Sequence, residues 1–239
     1  MLSALVFICA GLAQAPDELD KFVQSFSEKR DDIVSLRAPF TQRTVTPEEI
    51  LTSHGEVVYM RPKRLLFRYT EPEQVYMLEN LRAYEYDPEL RQLQIFDLEE
   101  QPQTAALFLG FEEDIARLRD AYDLRLLIAA DSDTPVAFEI VPKPDDADAE
   151  AYFERVIVYL RPQDYLPEEL HIINSAESQT IIRFEDYRIN EQMDETDVQL
   201  YAAPGTDVIV NEEFIERVEE PGKRFPTETA KPAAAPDAE

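Results

Sequence analysis

From Leu36 to Tyr201 the chain keeps returning to one short pattern, apolar residues at every second position followed by a turn. Such alternation puts successive side chains on opposite faces of a strand. It recurs at Leu36–Thr46, Gly55–Met60 and Arg61–Pro72, then in two strands within Gln74–Asp87 broken near Glu79-Asn80, and at Leu90–Leu98. After an interruption it resumes at Leu124–Ala130, Val136–Val141, Tyr152–Leu160, Glu169–Asn174, Gln179–Tyr187 and Val198–Tyr201. The links, such as Asp131–Pro135, Pro142–Glu150 and Pro162–Pro167, have room for turns but not for crossover helices. Consecutive strands joined this way form an antiparallel meander rather than β-α-β units.

Two stretches change period. Between Asp17 and Asp32, Leu19, Phe22, Val23 and Phe26 recur at helical spacing, with Asp17 available as a cap. Between Thr104 and Tyr122, Leu107, Phe108, Phe111, Ile115, Leu118 and Tyr122 do the same, with Gly110 a break between two short helices. So few helices leave a burial problem, because several strands are apolar on both faces: Val156 and Val158 oppose Phe153, Ile157 and Tyr159. A flat sheet would keep one of those faces wet. A strongly curved antiparallel sheet, its inner face capped by amphipathic helices at the mouth of a hollow, solves it, so the expected class is mainly β, or α+β.

The stretch Arg61–Pro72, RPKRLLFRYTEP, brings these themes together. Leu65, Phe67 and Tyr69 share one face, Leu66, Arg68 and Thr70 the other, and the preceding turn holds the densest positive charge in a very acidic chain. One reading puts the Leu65 face in the wall of the hollow with Arg61 at its rim. The other is an ordinary half-buried strand with a basic turn before it.

A formal charge of −27 argues against nucleic acid as a partner and against passive adhesion to anionic lipid. Five scattered glycines cannot form a phosphate-cradling loop, which removes Walker-type and dinucleotide-binding enzymes. Leu2–Ala13 is an apolar run too short to span a bilayer, followed by the small-x-small site Ala13-Gln14-Ala15. Residues 1–15 therefore read as an export signal, with a buried N-terminal element as the alternative. Cys9, the single cysteine, lies inside that run behind Ile8, which does not suit lipid attachment. Residues 16–210 are expected to be the folded domain. Beyond it, Asn211–Glu219 suggests a short acidic helix, and Pro221–Glu239, rich in Pro, Ala and charge, a disordered tail.

Catalytic patterns are weak. His54 and His171 have no neighbours at metal-ligand spacing, and there is no nucleophile elbow. Asp145, Asp146 and Asp148 lack the glycine turn and the glutamate of a calcium loop. The expectation is a binding protein with no cofactor and no metal.

The order of several short motifs is similar to that of the periplasmic outer-membrane lipoprotein carrier (LolA) family, from about residue 17 to residue 210. The motifs are Phe40-x-Gln42, Gly55, Arg61-Pro62, Thr70-Glu71-Pro72, Tyr86-Asp87-Pro88, Val141-Pro142-Lys143, Phe184, Asn190 and Pro204-Gly205. The resemblance implies a curved, incomplete antiparallel β-barrel with a helical lid over a hydrophobic cavity, and with it a non-enzymatic, monomeric periplasmic carrier. Its cargo would be acylated lipoproteins, received from an inner-membrane ABC-type releasing complex and passed to an outer-membrane receptor lipoprotein. It makes Arg61 the lid latch, bonded to lid carbonyls in Ala105–Gly110. Phe22, Phe40, Leu65, Phe67, Tyr69, Leu107, Phe108 and Phe111 become the cavity and lid candidates. The sequence departs from the family where Leu65 holds an aromatic's place and where Asn80-Leu81 and Ala176-Glu177-Ser178 replace glycine turns. Two rivals are an envelope sensor or scaffold of the same fold that binds lipidated proteins to regulate signalling, and a periplasmic hydrolase.

Overall fold

The computed structural model describes residues 16–79, 81–98, 111, 115–116, 118–128, 135–143 and 153–226. The leader expected over residues 1–15, the expected lid residues Leu107 and Phe108, and the chain beyond residue 226 lie outside the described residues.

Helix α1, Pro16–Arg30, follows the apolar spacing of its sequence, so Phe22 and Phe26 are buried on one face. Ile33 donates back to the Arg30 carbonyl at 2.9 Å as the chain leaves the helix. A meander follows: β1 Ser35–Val45, β2 Ile50–Met60, β3 Arg64–Thr70, β4 Glu73–Glu79, β5 Arg82–Asp87 and β6 Gln92–Asp97, each antiparallel to the one before. After α2, Leu118–Ala121, a second meander runs through β7 Tyr122–Ile128, β8 Pro135–Pro142, β9 Arg155–Leu160, β10 Pro167–Ser175 and β11 Ser178–Phe184. Strand β11 returns to pair with β1, and the short β12, Arg188–Ile189, also pairs with β1.

Beyond a 3-10 turn at Glu195–Val198 come β13 Leu200–Ala202, β14 Asp207–Val210, β15 Glu213–Arg217 and β16 Lys223–Phe225. The described residues thus give a 14-stranded sheet running β15-β14-β6-β5-β4-β3-β2-β1-β11-β10-β9-β8-β7, with β12 off this path, and a separate β13–β16 pair. The sheet is strongly curved and antiparallel apart from β14, which lies parallel to β6. No pairing joins its end strands β15 and β7 among the described residues, so the barrel stays incomplete. The curvature accumulates from the right-handed twist of each strand.

Two cores share this sheet. On the face covered by α1, Leu36, Phe40, Val57, Leu65, Phe67, Phe138, Val158 and Phe184 pack with Phe22 and Phe26. On the other face of β2–β6, Val58, Leu66, Met77, Tyr84 and Leu93 pack under Val198, Leu200, Val218 and Phe225. Curvature alone does not dry the second apolar face: on β2–β6 the C-terminal strands cover it. The acidic helix expected at Asn211–Glu219 is instead β15, paired along β14. The start of the stretch expected to be disordered from Pro221 is instead strand β16, which pairs with β13 and brings Phe225 back against the outer core, where it is 4% exposed. This cover is tied down electrostatically, since Arg37 bonds the Asp197 carboxylate at 2.9 Å and Arg68 donates to the Asp197 carbonyl at 2.7 Å.

Candidate functional site

Residues directly opposite one another in an antiparallel pair share a face. The register of β3–β6 therefore sorts their inner side chains into rows. One row is Leu65, Leu78, Ala83 and Phe96; the next is Phe67, Tyr76, Glu85 and Gln94. In the third, Tyr69 opposes Gln74 and Asp87 opposes Gln92, and Gln74 bridges the two pairs by donating to the Asp87 carboxylate at 3.4 Å. Across three rows the inner face grades from apolar to polar.

A cavity of about 430 Å³ opens along these rows. Leu65, Phe67 and Tyr69 of β3, Tyr76 and Leu78 of β4, Glu85 of β5 and Phe96 of β6 form one side. Gln42 of β1 with Ile172, Thr180 and Ile182 of β10 and β11 form the other. The volume falls within the range of about 300–1,000 Å³ typical of small-ligand pockets. The aromatic wall behind it is braced edge to face. The Phe40 ring lies 5.4 Å from that of Phe67 and 5.0 Å from that of Tyr69, and the Phe111 ring lies 5.3 Å from that of Phe184.

At the polar side, the Tyr69 hydroxyl donates to the Gln42 side-chain oxygen at 2.7 Å and the Tyr76 hydroxyl to Gln74 at 3.2 Å. Burial pushes the Tyr69 phenol well above its ordinary range. Burial, joined by the nearby Glu85 carboxylate, pushes Tyr76 up to about 12. Both phenols are neutral donors at physiological pH. Among the described residues no group of three or more His, Cys, Asp or Glu side chains is placed to hold a metal ion.

Two arginines organise the other end of α1. Arg61 donates to the carbonyls of Arg30 and Asp31 at 2.7 and 2.9 Å, satisfying acceptors that a helix end leaves free. Arg30 is 1% exposed; its guanidinium donates to the Phe111 carbonyl at 2.6 Å and the Tyr165 carbonyl at 3.3 Å. It also lies 5.0 Å from the Phe26 ring centre. Burial pulls its pKa down to about 10, against the opposing pull of Tyr59, Tyr187 and Asp164, so it stays charged at neutral pH.

Of the side chains singled out from sequence, Leu65, Phe67 and Tyr69 line the cavity, with Phe40 packed behind them. Phe111 touches this cluster through Phe67, with ring centres 6.5 Å apart. Phe22 sits elsewhere in the same core, against Phe26, Phe138 and Tyr165. The carbonyls expected to receive Arg61 at 105–110 lie outside the described residues. Sequence reasoning missed Arg30, Tyr76, Leu78, Glu85 and Phe96. For Tyr76, Leu78 and Glu85 a signal existed in the alternation of β4 and β5, but not which parity faced inward.

Comparison with known proteins agrees with this architecture. A family model described as "Outer membrane lipoprotein carrier protein LolA" matches residues 31–198. The outer-membrane lipoprotein carrier protein of Alkalilimnicola ehrlichii is 25% identical over 213 residues, covering 87% of this chain and 93% of its own. That of Pseudomonas aeruginosa is 25% identical over 204 residues, covering 84% and 92%. A solved uncharacterized conserved protein of Thermus thermophilus shares the fold with a TM-score of 0.50 at 11% identity, over 81% of this chain and 99% of that one.

Proposed function

The chain belongs to the outer-membrane lipoprotein carrier (LolA) family, and from that premise we propose that it carries the acyl chains of lipoproteins through the periplasm in the cavity beside β3. The single observation carrying this reading is the cavity of about 430 Å³ whose apolar row runs from Leu65 to Phe96. Each acyl CH₂ taken from water contributes about 0.8 kcal/mol, so such chains do not cross an aqueous space unescorted. A carrier must also release them, and a closed state with its own internal bonds lowers net affinity for cargo.

Arg61 is the proposed latch. Its fork serves two carbonyls at the end of α1, and Arg30, the residue supplying one of them, donates in turn to Phe111 beside the cavity wall. Opening would trade these bonds, each worth about 1.5–3 kcal/mol for a charged donor, against burial of acyl surface. The protein would act without catalysis, loaded by an inner-membrane releasing complex and relieved by an outer-membrane receptor.

A two-membrane transfer assay tests the proposal. Wild type is expected to move acylated lipoprotein from donor to acceptor membranes, and Arg61→Leu to take it up but retain it. No transfer by wild type, or recovery from the envelope of a signalling protein without lipoproteins, would reject the carrier role. Wild-type hand-over by Arg61→Leu would remove Arg61 from it.

A further inference from the structure

The cavity wall is graded in charge as well as in polarity. Its apolar row, Leu65 to Phe96, gives way to a row holding Glu85 and then to one holding Asp87. Glu85 lines the cavity and lies opposite Tyr76, and its carboxylate helps hold that phenol above the ordinary range. Asp87 stands behind it, bonded to Gln74, which also accepts from Tyr76. The other polar groups on the wall, Gln42, Asn174, Thr180 and the Tyr69 hydroxyl, are neutral. No lysine or arginine lines the cavity among the described residues. Arg64, Arg68 and Arg82, each next to a lining residue in sequence, bond Glu79, the Asp197 carbonyl and Asp97 instead.

Such a wall suits an amphiphile lying along the gradient, its methyl end over Leu65, Leu78 and Phe96 and its head over Tyr69, Tyr76 and Glu85. Hydroxyls and amides there can meet ester carbonyls and glycerol hydroxyls. A phosphate in the same place would meet a carboxylate with no cation to offset it. We infer that the cavity selects its ligand by head-group charge, accepting an uncharged acylglyceryl head and turning away the same chain bearing a phosphate, with Glu85 and Asp87 as the specificity-determining residues. The inference rests on the carrier reading and deepens it, since it separates acylglyceryl cargo from the anionic phospholipid that a membrane also offers. The formal charge of −27 acts in the same direction at longer range.

The test uses the full chain and two probes that differ only in the phosphate: 1-myristoylglycerol and its phosphate ester. Each displaces an apolar fluorescent dye from the cavity, below its critical micelle concentration and at pH 8. Wild type is expected to prefer the uncharged glyceride by roughly tenfold or more, the penalty for a like charge held about 5–7 Å from a partly solvated carboxylate. Glu85→Gln combined with Asp87→Asn should collapse the preference to near unity. A separate variant, Gln94→Lys, places a cation beside Glu85 in the same row and should draw the phosphate ester in, which a merely destabilised protein would not do. Equal affinity of wild type for both probes, or a preference unchanged in all variants, overturns the charge filter and leaves the carrier reading standing. Failure of the uncharged glyceride to displace the dye from wild type overturns both.

Discussion

Replacing Arg30 by Met tests how the end of α1 is held. The methionine keeps an unbranched apolar stem of similar reach against Phe26 but has no donor for the carbonyls of Phe111 and Tyr165. Leaving each of those buried acceptors without this partner costs about 1–3 kcal/mol, with the 3.3 Å bond to Tyr165 at the low end. Loss of the desolvated cation over the Phe26 ring adds up to about 2 kcal/mol. Against this, the variant no longer buries a charge, and that relief offsets a substantial part of the loss. The net expectation is about 2–4 kcal/mol of lost stability, a fall in Tm of roughly 4–16 °C for a domain of this size. Urea unfolding measures the energy, and hydrogen exchange along 115–122 reports whether the segment beside Phe111 loosens locally. Unchanged or raised stability, with protection at 115–122 intact, would refute the reasoning, because the cost of burying the guanidinium would then match or exceed its bonds.

Gly55→Ala should destabilise by about 2–4 kcal/mol, because a Cβ there would lie 2.2 Å from the Arg68 carbonyl and 2.6 Å from the Phe40 ring. A loss of unfolding free energy in urea under a tenth of that value would show that β2 and β3 can part at no cost. Alkaline pH gives a signed prediction. Tyr69, Tyr76 and Tyr187 are all held above the ordinary phenol value by burial, so above pH 10 the unfolded chain loses protons that the folded chain keeps. Their stabilisation is complete below pH 10 and lost as the pH climbs through the raised values, so Tm should fall over that interval. Absorbance at the phenolate band should show these groups titrating only as the protein unfolds. Early titration in the folded state would contradict their burial.

The alternation of β3, with Leu65 and Phe67 against Leu66, was legible because it depends only on neighbouring residues. The same holds for the amphipathic spacing of α1. What fills each face was not legible. Leu66 is buried because Leu200 and Phe225 return to the outer side of the sheet, and that return depends on β14 running parallel to β6 and on β16 pairing with β13. The acidic segment EFIER looked helical because two apolar residues between charges fit either period over so short a span. Nothing local in the sequence marks Arg30 for burial. Its burial comes from carbonyls 81 and 135 positions away along the chain. The charge grading of the cavity depends on register, which the turns set and composition does not reveal.

The central claim is that the cavity beside β3 holds acyl chains, and native mass spectrometry of protein purified from its own envelope addresses it most directly. The account predicts a population carrying acylated lipoprotein, released as free protein and lipidated polypeptide on collisional activation, and absent when Leu65 and Phe67 are replaced by larger side chains that fill the space. A single unliganded mass under conditions that keep known lipid carriers loaded would contradict it.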